Sequence, residues 1–143
     1  MDVHSLLHQF KDHTLAVISL IIALIALSYN TWRDEVTEKN RNYRMAAFEV
    51  LKNLGELQIE VNTLHFNPKN SMASPYAAWG RVALITDLSQ LLPPNVQKKS
   101  AHLLEVWQTN VDKIRDSEDA TEGISQAIDA SREAVLQLIA HLK

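Results

Sequence analysis

The side chains best able to do chemistry in this chain are its six histidines and a scatter of carboxylates. His4 and His8 lie four apart and Asp12 four beyond, so a helix through them would carry all three on one face. Two neutral imidazoles at that spacing are a candidate zinc or copper pair. The plainer reading is of histidines beside lipid head groups, because a metal needs an orienting outer shell that a terminal tail lacks. His65, His102 and His141 fall near expected helix ends, where capping is their expected role; in the last turn, at His141, a cation is favoured by the helix dipole. Asp87 and Asp112 lie near apolar stripes, but a catalytic role would also need a nearby base and a pocket. None of the patterns HExxH, GxSxG, GxxxxGK[ST], GxGxxG or an EF-hand loop occurs. There is no cysteine, which removes disulfides, thiolate metal sites, iron–sulfur clusters and thiol nucleophiles together. The expectation is a protein with no catalytic residues and no cofactor, and not an enzyme.

The elements that would position such groups read as helices. Only three glycines and four prolines occur in 143 residues, too little punctuation for hairpins or phosphate-binding loops. The net charge of -3 gives no basic footprint, and Lys98-Lys99 is the only adjacent basic pair, so nucleic acid is not expected as a partner. The length allows one compact domain plus an anchor.

The anchor is the segment at residues 14–32. Its core, LAVISLIIALIAL, has Ser19 as its only polar side chain, and the whole segment is uncharged. Nineteen residues at about 1.5 Å each span roughly 28 Å, the thickness of a bilayer's hydrocarbon. Tyr29 and Trp32 stand where amphipathic rings favour the interface, with Phe10, Lys11 and Asp12 at the other end. A cleaved signal peptide is the competing reading. Residues 1–13 set Lys11 against Asp2 and Asp12 and no Ala-x-Ala site follows, both of which favour retention. One Lys precedes the span, whereas Arg33, Lys39, Arg41 and Arg44 follow it; the positive-inside rule then predicts a C-terminal domain in the cytoplasm and a short outer tail. Along the span, Ala16, Ser19, Ala23, Ala26 and Asn30 recur at steps of three and four, forming a stripe of small or polar residues. Leu15, Ile18, Ile22, Ile25 and Tyr29 form a parallel stripe of bulk. Helices in lipid associate through close packing, so the small stripe is a candidate contact face; the alternative is that Ala and Ser are simply common in such helices.

Residues 33–44 form a charged neck in which Glu35 with Lys39 and Glu38 with Arg41 have helix-supporting spacings. Asn30, Thr31, Asn40 and Asn42 are poor helix formers that could break it. Beyond it, Ala47, Leu51, Leu54, Leu57, Val61 and Leu64 mark an amphipathic helix ending near Phe66, before the turn-rich NPKNS. Ser74-Pro75 predicts the start of a second helix, with Ala78, Val82, Ile85 and Leu88 inward, running to about Leu92. Pro93-Pro94 separates it from a third, with Val96, Leu103, Leu104, Trp107, Val111 and Ile114 on one face. Ser117 caps a fourth, which is acidic at its start and has Ile124, Ile128, Val135, Leu138 and Leu142 inward. Trp79, Trp107, Tyr76 and Phe48 read as core or half-buried packing residues. Tyr43, alone in a polar neck, reads as a contact for a partner or the lipid surface.

The predicted fold is all-α: one N-terminal transmembrane helix, then an antiparallel bundle of four helices, or of three with the first splayed. The boundaries are 1–13 outer tail, 14–32 span, 33–44 neck and 45–143 bundle. Residues 28–58 (SYNTWRDEVTEKNRNYRMAAFEVLKNLGELQ) and 79–94 (WGRVALITDLSQLLPP) resemble a group of small bacterial single-pass membrane proteins with a helical domain and no assigned function. That resemblance implies a bacterial inner membrane and transfers no site residues. The expected role is non-catalytic: an accessory or scaffold protein whose partners are the lipid bilayer and other membrane subunits or copies of itself. A sensor or relay module, and a small-molecule or metal binder, are the alternatives.

Overall fold

The computed structural model describes the backbone of residues 3–67 and 74–142, with side chains from Thr14 onward in those stretches. It is all-helical among them: α1 (Val3–Phe66), α2 (Pro75–Ser89), α3 (Pro94–Asn110), a single 3₁₀ turn (Val111–Lys113) and α4 (Glu118–His141). The chain forms two compact units, Met1–Lys39 and Asn40–Lys143. Helix α1 contributes to both and has no helical break at Asn30-Thr31 or at Asn40 to Asn42. Thr31, one of the doubtful residues, and Thr37 each donate to the carbonyl four residues back, at 3.0 and 2.9 Å, which satisfies the hydroxyl inside the helix.

The second unit is a four-helix bundle. One face of α1 (Ala47, Val50, Leu54, Leu57, Val61 and Leu64) is buried with Val82 and Ile85 of α2, Leu103 and Trp107 of α3 and Ile124, Ile128 and Val135 of α4. That settles the choice left open by the sequence, because the first helix is packed rather than splayed. The caps lie where they were expected: Ser74 Oγ accepts from the Tyr76 amide at 3.2 Å and Ser117 Oγ from the Ala120 amide at 3.2 Å. Pro94 takes the first helical position of α3, where a missing N–H costs nothing. Gln97 Nε2 donates to the Leu92 carbonyl at 2.8 Å, closing the turn between α2 and α3. Inside, the buried hydroxyls of Ser89 and Ser100 share one hydrogen bond at 2.7 Å across α2 and α3.

Several expectations are corrected. Helix α2 stops at Ser89, and α3 at Asn110, so Val111 and Ile114 lie in and after the 3₁₀ turn rather than on α3; Ile114 is nevertheless buried. Leu51, Leu88, Leu104 and Leu138 are only half-buried against the core. Phe48 and Tyr76 are exposed, Tyr76 at 87 %, because each lies on the outward side of its helix. Tyr43, expected to reach outward, instead packs on the core, because it sits three and four residues before Ala46 and Ala47 on the inward side.

Candidate functional site

In the first unit every residue from Thr14 to Lys39 is exposed within the chain. Eighteen consecutive residues there have a mean hydropathy of 1.9 and none of them is buried, so the helix is long and apolar enough to cross a membrane. Leu15, Leu20, Ile22, Ile25 and Leu27 are all about 60 % exposed, and the small stripe of Ala16, Ser19, Ala23, Ala26 and Asn30 is bare beside them. Ser28 Oγ donates to the Leu24 carbonyl at 2.8 Å, which hides that hydroxyl from an apolar solvent. The rings of Tyr29 and Trp32 stand 6.1 Å apart, tilted by 46°. Of the four cations that follow, Arg33 and Lys39 belong to the first unit, and Arg41 and Arg44 to the second. Arg44 has a further role that counting charges misses. Its guanidinium donates from Nη2 to the Leu142 carbonyl at 2.6 Å, tying the last turn of α4 to α1 at the end of the bundle where α1 enters.

The most concentrated charge lies between α1 and α2. Arg81 is the only cation on α2, and it turns toward α1 rather than to solvent. Its Nη1 donates to a Glu56 carboxylate oxygen and, at 3.2 Å, to Asn53 Oδ1; Nε and Nη2 both reach Glu60 Oε1, at 3.3 and 3.1 Å. The bond to Glu60 holds the guanidinium above its ordinary pKa, against the desolvation that opposes it and with the help of both carboxylates' charge. Asn53 is buried and spends its amide on the Glu49 carbonyl at 2.8 Å, so its oxygen is fixed toward Arg81. Glu60 Oε2 is buried without a partner. Both carboxylates accept from the one guanidinium, so the arrangement is that of a clamp between two helices. Spacing alone puts Glu56 and Glu60 off the core stripe of α1 and assigns no role to Arg81. The available signal was a lone cation among apolar residues with two glutamates four apart on the neighbouring helix. Replacing Arg81 by methionine is expected to lower stability by about 1–3 kcal/mol, since two carboxylates and an amide lose their donor. The figure is held down because the arginine side chain is 24 % exposed and Glu56 42 %. Chemical denaturation monitored by circular dichroism measures it.

The histidines divide. His65 Nδ1–H donates to the Ile114 carbonyl at 2.7 Å beside Thr121 Oγ1 at 3.2 Å, so it pins the end of α1 to the connection before α4 instead of capping its own helix. His141 Nδ1 faces the Gln137 carbonyl at 2.6 Å, a contact within the final turn. His102 is exposed, 3.7 Å from Glu105. The side chains of His4, His8 and Asp12 lie outside the described residues. Among the described residues no three His, Asp or Glu side chains gather closely enough to hold a metal ion. Asp87 and Asp112 are both exposed, on α2 and in the 3₁₀ turn. Trp79 and Trp107 meet edge to face with centroids 6.3 Å apart, a packing pair within the bundle. A hollow of about 250 Å³ lies between α3 and α4 beside Asn95, Lys99, Glu133 and Gln137, below the size of an ordinary small-molecule pocket.

Compared with known protein families, curated proteins and solved structures, the chain matches none of them.

Proposed function

We propose that this chain is a non-catalytic, membrane-anchored accessory or scaffold protein, docking through its transmembrane helix and its bundle onto a membrane complex or onto itself. The observation that carries the reading is the first unit: a helix whose apolar side chains are left uncovered by the chain, and whose hydroxyls at Ser28 and Thr31 are satisfied within it. Such a surface is stable only against lipid or another apolar helix. In lipid the stripe of Ala16, Ser19, Ala23, Ala26 and Asn30 is the face that allows a neighbouring helix to approach closely, and Leu15, Ile18, Ile22 and Ile25 face the tails. The bundle supplies a soluble body in which Arg81 holds α1 to α2 through Glu56 and Glu60.

The membrane is a bacterial inner membrane, crossed once, with the N-terminus outside and the bundle in the cytoplasm. Arg33, Lys39, Arg41 and Arg44 against Lys11 support that orientation. A C-terminal alkaline phosphatase fusion is expected to be inactive and a green fluorescent fusion bright; the reverse pattern would overturn the orientation. Recovery of the chain in the carbonate-soluble fraction would overturn the anchor itself.

A second reading, a relay module, draws on one observation: α1 is helical without interruption from Val3 to Phe66, across the charged neck. A relay would lose its output when Thr37 and Glu38 are both replaced by glycine while the chain stays in the membrane; a scaffold would keep its company under the same change.

A further inference from the structure

Helix α1 has a second apolar stripe that the bundle does not use. Met45, Phe48, Ile59 and Phe66 are 56, 57, 66 and 77 % exposed. With Lys52, Gly55 and Asn62 among them, they recur at alternating steps of three and four along the helix. Written as a heptad with Met45 at position a, these seven residues occupy every a and d position. The residues at b, c and f include Ala46, Ala47, Val50, Leu54, Leu57, Val61 and Leu64, which are enclosed in the chain's own core. A surface helix ordinarily has one apolar face, and this one has two. At Gly55, on the outer face, an added methyl group would meet nothing within 4 Å.

We propose that this stripe is where a second copy of the chain docks, α1 against α1, parallel and in register; the inference rests on the membrane-scaffold reading. The spacing is that of two helices meeting along an a/d seam. Charge selects the orientation. In a parallel pair each g position faces the e position five residues on in the other copy, which sets Arg44 opposite Glu49, Leu51 opposite Glu56 and Gln58 opposite Thr63, on both sides of the seam. In an antiparallel pair e positions face e positions, and Glu49 and Glu56 would meet acidic neighbours. Arg44 keeps donors for this purpose, since one of its five N–H groups serves the Leu142 carbonyl. Lys52 is the lone cation at an a position, a residue that fixes register and favours pairs at some cost in stability. Four large side chains from each of two copies enclose on the order of 1,000 Å², the lower bound for a specific interface.

The chain has no cysteine, so a single introduced one reports its own surroundings. Full-length Phe48→Cys, Ile59→Cys and, as a control on the exposed side of α3, Ala101→Cys are oxidised in native membranes and separated without reductant. The expected result is a product of twice the chain's mass from Phe48→Cys and Ile59→Cys and none above background from Ala101→Cys. Adding Phe48→Asp to Ile59→Cys is expected to cut that product roughly tenfold. If Phe48→Cys and Ile59→Cys give no more product than Ala101→Cys, or a product whose mass is that of a different protein, the pairing is wrong, while retention in carbonate-washed membranes leaves the scaffold reading standing. If the chain leaves the membrane in carbonate, both fall.

Discussion

Replacing Trp107 by alanine is expected to destabilise the bundle by about 3–5 kcal/mol, the range for removing a fully enclosed large aromatic residue. Trp107 is 0 % exposed, the largest side chain in the core, and its ring meets Trp79 edge to face. The cost combines lost transfer energy with a cavity that four helices must collapse around. No hydrogen bond offsets or enlarges it, since Trp107 Nε1 is buried without a partner. Trp107→Phe should therefore cost much less, because it keeps most of the ring and removes a lone buried donor. A body of about a hundred residues is stable by only about 5–15 kcal/mol, so the alanine variant stands to lose about a fifth of it or more. Urea unfolding of the full chain in detergent micelles, followed by circular dichroism, measures both variants. Equal stability of Trp107→Ala and the parent would contradict the packed core described above.

The second large effect is in the span. Substituting Ile22 and Ile25 together by arginine is expected to raise the cost of insertion by about 5–7 kcal/mol, at about 2.5–3.5 kcal/mol for each charge near the helix centre. Both positions lie on the bulky stripe rather than the small one, so the result reports insertion and not the loss of a helix partner. The double variant should move from the carbonate-resistant pellet to the soluble or aggregated fraction. The same double change to leucine should leave the distribution unchanged. If the arginine variant stayed in the membrane like the parent, lipid would not be the solvent of this helix.

The helices were legible because local chemistry fixes them. Ser74-Pro75, Pro93-Pro94 and Ser117 each supply the hydrogen-bond acceptor or the fixed φ that a helix start needs, and α2, α3 and α4 begin beside them. The apolar span was legible for a similar reason: a run without charge reports its solvent residue by residue. The candidate metal set at His4, His8 and Asp12 remains a matter of spacing alone, since those side chains lie outside the described residues.

The helix faces were not fully legible. Periodicity gave the inward stripe of α1 from Ala47 to Leu64, which is buried except for half-buried Leu51, but it did not place Phe48 or Tyr43. Their placement fell to the fit with α2 and α4. Gln58 Nε2 donates to Ser125 Oγ at 3.0 Å, and Arg81 reaches Asn53, Glu56 and Glu60, so α1 is turned with Val50, Leu54 and Leu57 inward and Phe48 and Ile59 outward. The same rotation took Tyr43 inward and left Arg44 at the end of α4. Composition and spacing by themselves determined that this protein is helical, where α2, α3 and α4 start, and that one helix suits a bilayer. Which aromatic rings are hidden, what Arg81 holds and which surface stays open were decided by tertiary packing, because each depends on a neighbour distant in sequence whose position no local pattern encodes.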